Sequence, residues 1–258
     1  MATTAVALRG LTKRFGPKIA VADLSLDVLS GSFFGLVGPN GAGKTTTMRM
    51  ATGLLRPDAG VVWIDGYDVW KGRDSAAVAK AHIGVLPEDL NLFERLSAAE
   101  LLTYTGLLRG MDPSTVKVRT ADLLATLGLA DASNTMIVDF SHGMRKKIAL
   151  AAALLHGPRV LFLDEPFEAV DPISARTIKA VLDAYTSRGG TVIFSSHVME
   201  LVEGLCDRVA IVNAGRIVAT GTIDEIRAGR SLEEAFVTLV GAAETPIGQL
   251  GWLGSSFG

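Results

Sequence analysis

The chain has few of the features that mark specialised classes of protein. It contains 258 residues and one cysteine, Cys206, so an internal disulfide is excluded. Aromatic residues make up only 6% of the sequence, and the formal net charge is −2. This near-neutral balance gives no general attraction to nucleic acid or to anionic lipid. Any partner must therefore be recognised by a local site.

Long apolar segments are also missing. The longest uninterrupted apolar run, IALAAALL over residues 148–155, is far shorter than the roughly 18 residues that a spanning helix requires. We interpret it as a buried core helix, and we expect that the chain does not cross a membrane by itself. The first ten residues, MATTAVALRG, show no basic leader followed by an apolar segment, so we expect a reducing cytosol.

Strand-like and helix-like patterns follow one another along the chain. Residues 6–28 alternate apolar and polar side chains around Gly16-Pro17, which predicts antiparallel strands in a hairpin. Between about Asn91 and His156 the pattern is helical, with a loop at 130–139, and it predicts an inserted helical lobe. Alternating strands and helices elsewhere predict a mostly parallel sheet with helices on both faces. The predicted strands are 31–38, 60–69, 82–88, 159–166, 191–197 and 208–221, and helical patterns cover 44–55 and 173–189.

A phosphate-binding loop is the most specific motif. The segment GPNGAGKTT fits G-x-x-x-x-G-K-[ST], with a strand pattern before it and a helix pattern after it. Its glycines let backbone N–H groups surround the phosphates, while Lys44 reaches the β- and γ-oxygens and Thr45 offers a hydroxyl to Mg²⁺. A chance glycine turn is the weaker alternative. The predicted nucleotide-binding residues are Gly38, Pro39, Asn40, Gly41, Ala42, Gly43, Lys44, Thr45 and Thr46.

Two acidic residues end the strand pattern VLFLDEP. Asp164 is predicted to hold the Mg²⁺ shell, and Glu165 to orient and activate the attacking water, which favours hydrolysis over simple nucleotide binding. Either acid alone could instead solvate the edge of a sheet. His197 follows the next strand and could bind a γ-phosphate oxygen, although a lone histidine there is more often structural. Phe15 could stack on a purine, although an aromatic near a turn is usually core.

The segment FSHGMRKK contains a Ser-x-Gly at the start of a predicted helix. Such a start suits an anion, since its N–H groups are unpaired, yet an ordinary helix cap is the better interpretation of these letters alone. The run Arg145, Lys146 and Lys147 is interpreted as a solvated helix face. Because no aromatic residues interleave with it, we expect no direct binding of nucleic acid.

Taken in order, the phosphate loop, the helical insertion, FSHGM, LDEP, VD and SSH resemble an ATP-binding-cassette transporter ATPase subunit. The resemblance covers about residues 6–221, and the tail SLEEAFVTLVG and the LPED segment are similar to the bacterial ABC-2-type exporter branch. It implies an α/β P-loop NTPase core with a mostly parallel sheet, a small antiparallel β subdomain and an inserted helical subdomain. The implied ranges are 1–220 for the ATPase domain, with the helical subdomain at 88–157, and 221–258 for a helical extension and flexible tail.

The resemblance also implies a head-to-tail homodimer, in which each ATP lies between the phosphate loop of one subunit and the signature motif of the other. It assigns Lys44, Glu165 and His197 to catalysis, Phe15 to base stacking and Asp171 to a loop facing the partner. The implied metal ligands, for the Mg²⁺ that accompanies ATP, are Thr45, Glu88 and Asp164. The implied trans signature is Ser141, His142, Gly143 and Met144, with its helix expected to begin near Met144.

Several positions depart from the family pattern. Glu88 stands where glutamine is usual, His142 replaces the first glycine of the signature, and FEAVD replaces a more usual Ser-Ala-Leu-Asp. None of these changes removes Lys44 or Glu165, so the resemblance still implies a catalyst.

By resemblance, the chain is an ATP-hydrolysing subunit that drives a separate permease, most simply an exporter, from the cytoplasmic face of the membrane. A soluble cassette ATPase acting as an assembly or scaffold factor is the alternative. A GTPase is disfavoured because no N/T-K-x-D motif is present, and a chromosome or repair cassette because the helical insertion is short.

Overall fold

The structure is a computed structural model, and it describes residues 3–241. The two short helices predicted for residues 221–258 lie within this range, whereas the predicted flexible tail after them lies outside the described residues. Two β-sheets and nine α-helices are present in the described part. They confirm the α/β class with a small antiparallel layer that the sequence predicted.

The antiparallel sheet forms from the first third of the chain. Strands β1 (Thr4–Phe15) and β2 (Lys18–Leu29) make the predicted hairpin, whose turn is Gly16-Pro17. Strands β4 (Ala59–Ile64) and β5 (Tyr67–Asp68) complete the order β2-β1-β4-β5. Alternate side chains of β1, such as Leu8, are buried, as expected for a sheet with one wet face.

The larger sheet has the order β10-β9-β3-β8-β7-β6. Its central strands β3, β8, β7 and β6 are parallel to one another, β9 is parallel to β3, and only β10 is antiparallel. Strands buried on both faces are expected to be apolar throughout, and every residue of β3, β7 and β8 is buried. Their bounds are β3 Phe33–Val37, β6 Ile83–Leu86, β7 Val160–Asp164, β8 Thr191–Ser196, β9 Arg208–Asn213 and β10 Arg216–Thr222.

This sheet separates two hydrophobic cores. Successive side chains of a strand point to opposite faces, so Phe33 joins the core shared with the helical lobe, whereas Phe34 joins the core under the antiparallel sheet. Phe194 of β8 lies beside Phe33 with ring centroids 5.6 Å apart. The sheet is thereby fixed from both sides, and the ends of its strands are held in place.

The helical lobe consists of α3 (Ala98–Leu108), α4 (Pro113–Thr126) and α5 (His142–Leu154). Helix α3 starts with a capping box in which Ser97 and Glu100 satisfy each other's backbone N–H groups. The loop expected at 130–139 contains a short 3-10 helix at Ile137–Asp139. Helix α5 begins at His142, two residues before the expected start, because the Ser141 side chain caps it.

The remaining helices lie on the sheet and at the end of the described chain. Predicted helices are present as α1 (Lys44–Ala51), α6 (Pro172–Thr186), α8 (Ile223–Arg227) and α9 (Leu232–Val240). Two further helices, α2 (Gly72–Ala81) and α7 (Met199–Leu205), were not predicted. Helix α2 buries only Ala79, and α7 has only 7 residues, so neither carries a clear helical period.

Two further features concern membrane-spanning helices and the single cysteine. No helix among residues 3–241 is long and apolar enough to span a membrane. The thiol of Cys206, which follows α7, packs against the β3 strand near Gly35. Burial raises the pKa of this thiol well above its usual value, and nearby Asp207 adds to the shift.

Candidate nucleotide-binding site

The phosphate loop connects β3 to α1 at the carboxyl end of the parallel sheet. Gly43 is the N-cap of α1 and has φ of 105°, a conformation that favours glycine. A Cβ atom on Gly43 would lie 2.5 Å from the Ala20 carbonyl oxygen, and one on Gly38 would lie 2.2 Å from that of Val212. Glycine is therefore required at both positions, and the loop remains close to the antiparallel sheet.

Lys44 is buried, with a relative exposure of 6%. Its ammonium donates to the carbonyl oxygen of Gly38 at 2.7 Å and lies 3.6 Å from Oε1 of Glu165. A cation at the first turn of a helix gains nothing from the helix dipole, which favours anions there. Its position beside the loop and a carboxylate is that of a group placed for an anionic ligand.

Two carboxylates meet at Thr45. Its hydroxyl oxygen lies 3.2 Å from Asp164 Oδ1 and 3.4 Å from Glu88 Oε2, and its single proton can be donated to either. Ser195, on β8, donates to the same Asp164 oxygen at 2.5 Å. Sequence reasoning predicted Thr45, Asp164 and Glu88, but it missed Ser195, whose only signal was a pair of serines at the end of an apolar strand.

Glu165 follows β7 and has an unusual backbone conformation, with φ of +46°. Its N–H donates to Ser195 Oγ at 3.0 Å, and its carboxylate Oε1 lies 3.1 Å from Nδ1 of His197. The structure thus brings Lys44, Glu165 and His197 together within one site. A carboxylate beside a histidine can orient a water molecule and accept its proton.

A cleft of about 330 Å³ covers the phosphate loop. That volume lies within the range of small-molecule sites. Phe15 is 50% exposed at its rim, so it is not the core residue that an aromatic near a turn usually is. Lys18 and Ala20 also line the cleft and were not predicted. The remaining residues lining the cleft are Asn40, Gly41, Ala42, Gly43, Lys44, Thr45, Thr46, Glu88 and Glu165.

The predicted signature lies elsewhere in the described part of the chain. Ser141 is exposed and accepts a hydrogen bond from the Met144 N–H at 3.3 Å, as an ordinary cap does. Gly143 packs against the start of α6, where its Cβ would lie 2.6 Å from Oδ2 of Asp171. Among residues 3–241, Ser141, His142, Gly143, Met144 and Asp171 are not part of the cleft lining.

Asp171 caps α6. Its Oδ1 accepts from the Ser174 N–H at 2.9 Å and from the Ile173 N–H at 3.1 Å. The hydrogen bond from the Ser174 backbone holds the pKa of this carboxyl below its usual value. The side chain is therefore satisfied within its own chain, and it fixes the start of α6 beside the start of α5.

The interpretation of Lys146 as part of a solvated face was wrong. Its relative exposure is 2%, and its ammonium donates to the carbonyl oxygen of Glu165 at 3.0 Å. Burial lowers the pKa of Lys146 below its usual value, while surrounding carboxylates, first that of Glu168, act in the opposite direction. Gly143, Lys146 and Leu150 lie three and four positions apart on α5 and are all buried. This helical spacing is the sequence pattern that could have predicted the burial of Lys146.

A strand, a glycine loop and a helix with Lys44 and Thr45, facing acids at the end of a neighbouring parallel strand, define a P-loop nucleoside triphosphatase. The model of the ABC transporter family matches residues 21–168, more than half of the chain. The chain belongs to this family, and it is an ATP-binding and ATP-hydrolysing subunit. The resemblance seen in the ordered motifs is thereby confirmed, together with its exporter branch.

Relatives and solved structures agree on this family. The chain is 39% identical over 212 residues to the linearmycin resistance ATP-binding protein LnrL of Bacillus subtilis, covering 82% of this chain and 67% of that one. It is 35% identical over 221 residues to the Nod factor export ATP-binding protein I of Rhizobium leguminosarum, covering 86% and 70%. A solved ATP-binding subunit of an ABC transporter matches 92% of this chain and 99% of its own, with 29% identity and a TM-score of 0.84.

Proposed function

We propose that this chain is the motor subunit of an exporter, that two copies close head to tail on two ATP molecules, and that they drive a separate membrane permease. The observation that carries the proposal is the division of the site. Lys44, Thr45 and Glu165 line the cleft and Asp164 contacts Thr45 beneath it, whereas the signature residues lie on another surface. A second copy would bring its own signature to this cleft.

The proposed catalytic residues are Lys44 and Glu165, which line the cleft, and His197, which lies beside Glu165. Lys44 would bind the β- and γ-phosphate oxygens, since its ammonium already lies over the loop carbonyl of Gly38. Glu165 would orient the attacking water, and His197, 3.1 Å from its carboxylate, would fix that carboxylate and contact the γ-phosphate. Phe15, at the rim, would stack on the base.

Mg²⁺ is the proposed metal, with Thr45, Asp164 and Glu88 as the residues that would hold it. The Thr45 hydroxyl lies within 3.4 Å of both carboxylates, so the three oxygens fit a cation that prefers oxygen. No group of three or more His, Cys, Asp or Glu side chains suited to a metal occurs among residues 3–241. Mg²⁺ needs only one or two carboxylates when phosphates share it, and it supplies positive charge against the phosphate oxygens.

The signature surface is proposed to bind the partner's ATP. Ser141 presents a hydroxyl at the N-terminus of α5, a 13-residue helix, and Gly143 lets this end pack closely on the start of α6. Helix N-termini favour anions because their N–H groups and dipole point outward. A γ-phosphate held there would be lost from the interface after hydrolysis, which would let the copies separate.

Export, with the chain held at the cytoplasmic face by its permease, is supported by relatives whose names include resistance and export ATP-binding proteins. These names favour a transporter over the alternative of an assembly or scaffold ATPase. The permease would be a separate chain, and its contact with Glu88 and the helical lobe is part of the proposal.

Co-purification tests the proposal directly. A tagged Glu165→Gln chain would be expressed in its native cell, membranes would be solubilised gently with MgATP present, and bound proteins would be identified by mass spectrometry. The matched control is tagged Lys44→Ala, which we expect not to bind ATP.

We expect Glu165→Gln to recover a stoichiometric membrane protein with several spanning helices. Recovery of soluble partners only, without any membrane protein in either sample, would overturn the exporter and favour a scaffold or assembly ATPase.

A further inference from the structure

Lys146 connects two surfaces to which the proposed function gives separate tasks. It lies on α5, the helix that begins with the exposed Ser141. Its side chain extends from this helix to the main chain of Glu165, the proposed base of the cleft in the same chain. The distance from Nζ to the Glu165 carbonyl oxygen is 3.0 Å. A single side chain thus joins the signature helix to the catalytic loop.

Stability gives a poor explanation for this lysine. An ammonium with 2% exposure loses most of its hydration, and its hydrogen-bond partner in the described chain is a neutral carbonyl. Apolar residues of similar size frequently replace buried charges without loss of stability. The position therefore invites a role in the site itself.

Glu165 is the group that this contact would position. A non-glycine residue in the left-handed region is strained, so its neighbours must hold it there. Ser195 accepts from its N–H, and its carbonyl oxygen accepts from Lys146 at 3.0 Å and from the Glu168 N–H of the following turn at 3.2 Å. Because the direction of a side chain follows from its backbone, these contacts, of which Lys146 is the one from α5, also direct the carboxylate toward Lys44 and His197.

The distance along α5 is short enough to transmit a movement. Five positions separate Ser141 from Lys146, which corresponds to about 7.5 Å of helix rise. Over such a length a helix moves as one body, and the buried Gly143 and Ala149 keep it packed on its neighbours. A shift at the start of α5 would reach the carbonyl of Glu165 through Lys146.

We propose that Lys146 is a positioning residue that couples the two ATP sites of the dimer, because contact of Ser141 with the partner's ATP sets the backbone of Glu165 in its own site. The proposal rests on the head-to-tail dimer proposed above. Each site would then hydrolyse ATP at its full rate only when the other is filled.

The test measures ATP hydrolysis by the purified full chain as a function of ATP concentration. Lys146→Met removes the donor, Lys146→Arg retains a charged donor, and Lys147→Met is the control. Lys147 is the next residue on α5, half-buried, and its side chain makes no hydrogen bond or ion pair within residues 3–241. ATP affinity and ATP-driven dimerisation are measured on each variant combined with Glu165→Gln.

We expect Lys146→Met to reduce kcat by roughly ten- to a hundredfold, as misplacement of a catalytic group by about 1 Å does. Its ATP affinity should be unchanged, since the phosphate loop is intact. The Hill coefficient should fall from above one to about one, because coupling between two sites is what raises it. Lys146→Arg should recover part of both, and Lys147→Met should retain both.

Three results would overturn the inference. The first is a kcat and Hill coefficient in Lys146→Met equal to those of the unmutated chain, and the second is equal losses in Lys146→Met and Lys147→Met. The third is a Hill coefficient of one in the unmutated chain when that chain dimerises normally. If Lys146→Met does not fold, Lys146→Leu, which also lacks a donor, gives the same decision. Absence of an ATP-driven dimer in Glu165→Gln alone would instead contradict the proposed function, so the two failures are distinguishable.

Discussion

Side chains at the carboxyl ends of the parallel strands contact one another within the chain, whereas the Ser141 hydroxyl at the start of α5 bonds only to the backbone of its own helix. Glu165 illustrates the first region, since Lys44, His197, Ser195 and Lys146 all lie around it. Ser141 illustrates the second, since its hydroxyl caps its own helix and is otherwise exposed. In the proposed dimer, the first region binds ATP, and the second supplies the other half of the partner's site.

This difference explains why sequence motifs identified the residues of the cleft, whereas the letters around Ser141 suggested an ordinary helix cap. Local caps satisfy Ser141 and Asp171 fully, so neither contradicts the interpretation as ordinary helix starts. Both residues are exposed beside a helix N-terminus, and the neighbouring Gly143 has no room for a larger side chain. Variants that damage one region and leave the other intact would test the comparison.

The largest effect is expected from Lys44→Ala. Removing a buried ammonium from a phosphate site costs on the order of 4 kcal/mol, or roughly a thousandfold in affinity. ATP binding and turnover should both be lost, as measured by titration with a fluorescent nucleotide and by phosphate release. Lys117→Ala, an exposed lysine on α4, is the control and should bind normally. Unchanged affinity in Lys44→Ala would contradict the phosphate-loop assignment.

A smaller effect, confined to turnover, is expected from Glu165→Gln. The amide cannot accept a proton, so hydrolysis should fall by on the order of a hundredfold while ATP still binds. Light scattering with ATP present should then detect a long-lived dimer. The control is Glu168→Gln, whose side chain is exposed three residues further on. Full activity in Glu165→Gln would remove this residue as the base.

Mixing two inactive variants tests whether the surface region acts on the partner's cleft. Ser141→Arg disrupts the signature, and Lys44→Ala disrupts the loop. A mixed dimer retains one intact loop facing one intact signature, so it should regain turnover at one site per dimer, at the roughly ten- to hundredfold lower rate expected without coupling. Phosphate release is measured against the mixing ratio, with each variant alone as the control. A mixture that stays inactive at every ratio would count against action in trans.

The smallest effect is expected from Phe15→Ala. An aromatic that stacks on a base contributes ~1–3 kcal/mol by alanine substitution, so ATP affinity should fall by about tenfold with kcat retained. Phe93→Ala is the matched control, since Phe93 is exposed but does not line the cleft. Equal affinities for Phe15→Ala and wild type would leave Phe15 as a rim residue without a role.

Sequence reasoning succeeded where the chemistry is local along the chain. The strand before Gly38, the loop and the helix after it are consecutive, so pattern and spacing were enough. Ser195 and Lys146 were missed because their importance comes from neighbours that folding brings together, 30 and 19 residues away in sequence at Glu165. Helices α2 and α7 were missed because short or exposed helices leave little periodicity.

The buried thiol of Cys206 has a practical consequence for labelling chemistry. Alkylating reagents react with the thiolate, and the raised pKa keeps that form scarce at neutral pH. A cysteine introduced at Ile173, which is 81% exposed at the start of α6, would therefore react first. A spin label or fluorophore there would report the distance between two copies as ATP is added, in the otherwise native protein.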